Sequence, residues 1–199
     1  MQILPANEIS NSNEEISRVF VEGFFPLLKM LCKDKTKLTK ALAHALRREQ
    51  FFVALEDGRV VGIAACADGR TSSLWLDQSQ LKRHLGWLRG ELAYRTMHPE
   101  VDIPHYPVPI ESGVGAIENV AVDPDYRRRG VARALLSHIF AETPCGSYIL
   151  EVADSNAKAI ALYESFGFRE VKRVPQKYAR FTGINEYLYM VRPDSLLGL

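Results

Sequence analysis

The sequence predicts an α/β fold in which one mixed sheet is flanked by helices. Three observations carry that expectation. β-rich runs and helix-spaced apolar runs alternate in the order β-α-α-β-β, an insertion, then β-α-β-α-β-β. The length, 199 residues, is ample to bury a core and matches one ordinary domain, residues 1–199, with an insertion over about 70–113. The composition, 47% apolar and 25% charged, is that of a globular chain.

The elements follow in order. "MQILPA" reads as a short first strand. "NEEISRVFVEGFFPLLKMLC" has helical spacing through Ile16, Phe20, Phe24 and Leu27, with a break expected near Gly23 and Pro26. "TKLTKALAHALRREQ" is a second helix, with Leu38, Leu42 and Leu46 on one face. "FFVALEDGRVVGIAACADG" is a hairpin, its two β-rich runs flanking Asp57-Gly58, a pair that tolerates the positive φ of a tight turn.

The insertion has a different texture. "LWLDQSQLKRHLGWLRGELAYRTM" is helical in spacing through Leu81, Leu85, Leu88 and Leu92, with basic residues between. "HPEVDIPHYPVPIESG" holds four prolines, which predicts an extended loop. Trp75, Trp87, Tyr94, His98, His105 and Tyr106 supply amphipathic surface of the kind that lines a pocket. The insertion is expected to set specificity, as a lid over the acceptor side. A capping helix that fills a groove or pairs two copies in a homodimer is the competing expectation.

Regularity returns with "VGAIENVAV" as a strand. The helix "RRGVARALLSHIFAE" then buries Ala132, Leu135, Leu136, Ile139 and Phe140. "GSYILEV" is a strand, and "SNAKAIALYESFGF" is a helix opened by Ser155 or Asn156 and stopped by Gly167. "FREVKRV" and "NEYLYMVRP" are the final strands.

Bulk properties exclude several function classes. A formal net charge of +1 provides no field for gripping nucleic acid or an anionic membrane. Cys32, Cys66 and Cys145 are odd in number and widely spaced, which argues against a disulfide framework or a zinc site and suits a reducing cytosol. "MQILPANEIS" lacks the character of a signal peptide, and the apolar runs fall short of the roughly 20 residues that cross a bilayer. The expectation is a cytoplasmic protein with no metal. Cys145, in "TPCGS", lies near enough to the later strand to raise a covalent role, though nothing nearby would lower its pKa.

Residues 123–136, "DPDYRRRGVARALL", place three arginines and a glycine where a helix begins. A strand-turn-helix junction directs unpaired backbone N–H groups at one spot, where the helix dipole also favours negative charge. Gly130 admits a ligand close to the backbone, and the arginines add charge-assisted hydrogen bonds to phosphate oxygens. A solvated basic turn before a core helix is the alternative reading of the same residues.

With its neighbours, this stretch resembles the acyl-CoA-binding signature of the GNAT superfamily of N-acetyltransferases. The pattern of Arg or Gln, two residues, Gly, one residue, then Gly or Ala is met by Arg127, Arg128, Arg129, Gly130, Val131 and Ala132. "SNAKAIALYESFGF" is similar to the family's second signature. Over roughly residues 117–172 the chain is most similar to enzymes that acetylate the N-terminal alanine of a ribosomal protein. Its insertion departs from the short hairpin usual in that group.

The resemblance implies a mixed, mostly antiparallel central sheet with the insertion between its third and fourth strands. It also implies acetyl-CoA as co-substrate and direct transfer to a primary amine, with no covalent enzyme intermediate. Arg127, Arg128, Arg129, Gly130, Val131, Ala132 and Arg133 are then expected at the CoA phosphates. The backbone of Val120, Ala121 and Val122 would bond the pantetheine amides, and Asn156 would contact the same arm. Tyr163 matches the acid that protonates the leaving thiolate, or else packs beside Ile160 and Phe166. Glu151 matches the base of the ribosomal-protein enzymes, and Glu118 matches the base of other branches. The alternative for either carboxylate is a solvent-facing strand residue. The acceptor is expected to be a small molecule, with a protein Nα or lysine amine and a non-catalytic acyl-CoA sensor as the alternatives.

Overall fold

The computed structural model describes all residues except 11, 12, 102–105, 108–112, 144, 177, 178 and 194–199. Its sheet contains β1 (Gln2–Pro5), β2 (Phe51–Glu56), β3 (Arg59–Ala67), β4 (Val114–Val122), β5 (Ser147–Ala153), β6 (Arg169–Pro175) and β7 (Glu186–Pro193). Their spatial order is β1-β2-β3-β4-β5-β7-β6. Every neighbouring pair is antiparallel except β4 with β5, which is parallel. The β2–β3 hairpin turns at Asp57 and Gly58 with φ of 51° and 75°, as its sequence requires.

Alternation along the strands divides the core in two. Val53, Ile63 and Ala65 face α1 (Asn13–Leu28), α2 (Lys35–Leu42), α3 (Gln78–Leu85) and α4 (Trp87–Val101). Ala54, Val61 and Ala64 face the opposite layer, α5 (Val131–Glu142) and α6 (Ala157–Ser165). A short helix, α7 (Ala179–Thr182), lies between β6 and β7 in the chain. Leu81, Leu85 and Ala93 of the insertion share the core of α1 and α2, so the insertion extends that layer. Among the described residues, no helix is long and apolar enough to cross a membrane.

Four local expectations are corrected. The first helix is unbroken, with Gly23 and Pro26 inside it. Gly23 serves a close approach instead, since a Cβ there would stand 2.6 Å from the Ala121 Cβ on β4.

The second helix ends at Leu42, not near Gln50. Tertiary hydrogen bonds capture the backbone that would have continued it: Arg47 N–H donates to the Ser73 carbonyl and Trp75 N–H to the Ala45 carbonyl, each at 2.9 Å.

The insertion's helical run is two helices, broken at Gly86, whose φ of 85° and ψ of 158° only glycine adopts readily. The second folds back so closely that a Cβ on Gly90 would lie 2.4 Å from the Lys82 Cα. Leu81 and Leu85 are therefore buried, while Leu88 and Leu92, expected on the same stripe, are 73% and 58% exposed.

Lastly, α4 runs through Pro99 to Val101, so the first residues of the expected extended loop are helical. Proline near the end of a helix removes only a late backbone bond.

Candidate active site

The parallel ladder between β4 and β5 runs from Val114 opposite Ser147 to Ile117 opposite Leu150. Beyond it β4 stays paired with β3, and β5 with β7, so the two strands part. A bulge sharpens the parting. Ile63 pairs with Ala121 but Ala65 pairs with Glu118, which leaves one extra residue on β4, and Asn119 takes a φ of 52°. A cavity of about 460 Å³ occupies the gap and runs through the sheet. Tyr163 and Asn156 line it near the α5–α6 layer, and Phe24, Leu27 and Tyr106 line it on the other side.

Glu118 and Glu151 both line this cavity. They lie two residues beyond Ala116 and Ile149, which share one face of the sheet with Tyr106, so the strand period directs both toward the insertion. Glu118 is held by three donors. Its Oε2 accepts from Ser73 N–H at 2.9 Å and Ser73 Oγ at 2.6 Å, and its Oε1 accepts from the Tyr106 hydroxyl at 2.9 Å. Asn119 Nδ2 donates to the same Ser73 Oγ at 2.8 Å, so the bulge and the loop after β3 hold each other.

Glu151 accepts a hydrogen bond from the Tyr189 hydroxyl, its directly opposite partner on β7. The Tyr106 and Tyr189 rings meet edge to face at 6.3 Å. Burial, then the charge of Glu118 and its hydrogen bond, push the Tyr106 hydroxyl well above the usual tyrosine range. It is a neutral donor throughout the working pH range.

Tyr163 is buried on α6, its ring edge-on to Phe168 at 5.9 Å. Burial pushes its hydroxyl up to about 12, so it too remains protonated. Asn156 lines the cavity and caps α6, its Oδ1 accepting from Ala159 N–H at 3.2 Å.

The arginine turn sits where β4 passes into α5. Asp123 anchors it: this buried carboxylate meets Arg18 at 2.6 Å and Arg59 at 2.9 Å and accepts from Asp125 N–H at 3.1 Å. Burial opposes its ionisation, but those partners outweigh it and hold the carboxyl below its ordinary range. Arg128 and Gly130 have φ of 64° and 80°, and the Gly130 cap offers the helix no side-chain acceptor. Arg127, Arg128, Arg129 and Gly130 are exposed at the N-terminus of α5, where the helix end favours negative charge.

The three arginines are not equivalent. Arg127 Nε donates to the Val122 carbonyl at 3.3 Å, and the Arg129 guanidinium stacks 4.9 Å from the Tyr126 ring centre. Arg133 turns toward α6, donating to Ser165 Oγ at 2.9 Å. Val131 is buried and Ala132 half-buried, whereas Val120 lines the cavity on the β4 segment that has left β5.

Cys145 is corrected. It precedes β5 at the end opposite Glu151, and its sulfur packs 3.0 Å from where a Gly115 Cβ would stand. Five residues lie between the two, four of them along β5, and Cys145 does not line the cavity. His105 lies outside the described residues.

Ser73 and Tyr189 escaped the reading of the sequence. Ser73 sits in the polar "TSS" turn, which has no local signal of function. Tyr189 could have been found only by knowing the register that sets it opposite Glu151.

Residues 15–168 match the Acetyltransferase (GNAT) family. Over 81 residues the chain is 44% identical to the ribosomal protein bS18 alanine N-acetyltransferase of Escherichia coli (strain K12), covering 39% of this chain and 55% of that one. Over 60 residues it is 37% identical to the glucosamine 6-phosphate N-acetyltransferase of Trypanosoma brucei brucei, covering 30% and 41%. The chain thus spans about half the length of these curated relatives. The solved structure of histone acetyltransferase HPA2 and related acetyltransferase from Corynebacterium glutamicum is similar at a TM-score of 0.67 and 21% identity, covering 100% of this chain and 98% of that one. That likeness concerns the fold.

Proposed function

The chain belongs to the GNAT acetyltransferase family, and from that premise we propose that it transfers an acetyl group from acetyl-CoA directly to the primary amine of a small molecule. One observation carries the choice of acceptor. From the insertion, Tyr106 lines the cavity, bonded to Glu118 and packed on Tyr189, and Lys172 of β6 donates to the Pro107 carbonyl at 3.1 Å. Contacts of Tyr106 with β4 and of Pro107 with β6 favour an enclosed pocket over an open peptide groove.

The chemistry asks for a base and an acid on either side of one carbonyl. Acetyl-CoA supplies the activated acyl group. The turn from Arg127 to Gly130 holds its phosphates, and the free length of β4 from Val120 to Val122 holds the pantetheine arm, as an added strand would pair. Glu151 receives the proton that the amine loses as the C–N bond forms. Glu118, fixed by its three donors, holds the amine in line and is the alternative base. Tyr163 gives its proton to the sulfur as the C–S bond breaks, and its raised pKa keeps that proton available.

A protein N-terminal amine is the second reading, supported by the printed activity of the Escherichia coli relative. The test is thiol release from acetyl-CoA with a pool of small amines and, separately, a pool of short peptides, against a Tyr163→Phe background. Tyrosine-dependent release with the amines alone supports the proposal, and release with the peptides alone replaces it by the second reading. Tight CoA binding with no release from either pool favours a non-catalytic sensor.

A further inference from the structure

We infer that the acceptor is an amine that carries no carboxylate or phosphate of its own. This rests on the small-amine reading above and narrows it. Among the described residues that line the cavity, two bear charge, Glu118 and Glu151, and both are acidic. None is Lys, Arg or His. Lys172 is directed to the Pro107 carbonyl and does not line the space. Beside the carboxylates the lining mixes apolar side chains, Phe24, Leu27, Leu74 and Val101, with neutral polar ones such as Ser72 and Thr182.

Two acidic groups in a partly desolvated cleft favour an entering ammonium. They repel an anion on the same molecule, because water screens little of the field there. The Tyr106 and Tyr189 hydroxyls do not offset this repulsion, since both already donate to the two carboxylates. An amino acid with a free α-carboxylate or a phosphorylated amino sugar would meet like charge, with no cation among the described lining residues to receive it. A decarboxylated amine with a short apolar body would not.

The experiment compares phenethylamine, phenylalanine and phenylalaninamide as acceptors for the full chain with acetyl-CoA, reading thiol release. The amide matches the acid in size but has no negative charge. The same three are titrated calorimetrically into the CoA complex, so the result does not depend on turnover. An alanine-initiated peptide amide runs beside them.

The expected result is that phenylalanine falls about tenfold or more below phenylalaninamide, in kcat/KM or in affinity. The amide should stay within a few-fold of phenethylamine. In Glu118→Gln the acid-to-amide ratio should narrow toward one, whatever the variant's absolute rate. Equal use of acid and amide by the wild-type protein overturns the inference and leaves the small-amine reading standing. Turnover and binding confined to the peptide overturn both.

Discussion

Tyr106, from the insertion, donates its hydroxyl hydrogen to Glu118, on the bulged fourth strand, across 2.9 Å. Two parts of the chain with no local relation thereby fix one carboxylate. Tyr106→Phe keeps the ring and removes the donor. A hydrogen bond to a charged group contributes roughly 1.5–3 kcal/mol, so kcat/KM for the amine should fall about tenfold or more. KM for acetyl-CoA should not move. Steady-state thiol release with each substrate varied checks this, and a change confined to acetyl-CoA would contradict it.

Tyr163→Phe removes the proposed acid without opening a cavity. We expect kcat to fall on the order of 10²-fold, with CoA affinity and thermal stability close to wild type. Stopped-flow thiol release and calorimetric CoA binding separate the two quantities. A fall in CoA affinity with kcat intact would mean the hydroxyl binds rather than donates.

Alkaline stability should report the buried Tyr163 hydroxyl and the half-buried Cys66 thiol. Tyr163 is pushed up from 10.0 to about 12 and Cys66, also by burial, from 9.0 to about 12. Both favour the protonated form in the folded state, so their contribution is intact below pH 9 and is lost between about 9 and 12. Denaturant midpoints should decline over that window, and less so in Tyr163→Phe. Iodoacetamide at pH 8 should label Cys66 in the unfolded chain and spare it in the folded one, as peptide mapping would record.

Asp123→Asn should destabilise the arginine turn. The buried carboxylate joins Arg18 and Arg59, and losing its charge leaves both short of a partner. The expected cost is about 2 kcal/mol in chemical denaturation. Its folded pKa is depressed below 3.8, so the stabilisation is present above that pH and disappears as pH falls through the folded value. Wild-type stability should therefore drop steeply below pH 4, and the variant should lack that part of the slope.

Gly23→Ala should be destabilising although alanine is the better helix former. The added Cβ would stand 2.6 Å from the Ala121 Cβ, and neither atom sits on a flexible arm. Overpacking of this kind costs about 1–3 kcal/mol, against about 1 kcal/mol gained in propensity. A lowered melting temperature, with less CoA bound, is the expected outcome, because Ala121 neighbours the cavity-lining Val120.

Much of the molecule was legible from local sequence because its causes are local. Alternation and turn chemistry at Asp57-Gly58 set the hairpin, Asn156 capped its helix, and the Arg127–Ala132 pattern marked the turn. The helical layer was less legible where tertiary hydrogen bonds or close approach override propensity. Residues 43–50 leave the helix because Ser73 and Trp75 claim their backbone, and Gly86 splits a leucine stripe that spacing alone makes continuous.

By itself the sequence determined the order of elements and carried the family signatures that single out Glu118, Glu151 and Tyr163 as candidates, since periodicity, capping and motif spacing act within a few residues. Only the tertiary structure decided that Ser73 and Tyr106 hold Glu118 and that Tyr189 faces Glu151. It alone brought two carboxylates and no described cation to one cavity. Those facts depend on strand register and on a bulge at Asn119, where one inserted residue changes which side chains meet.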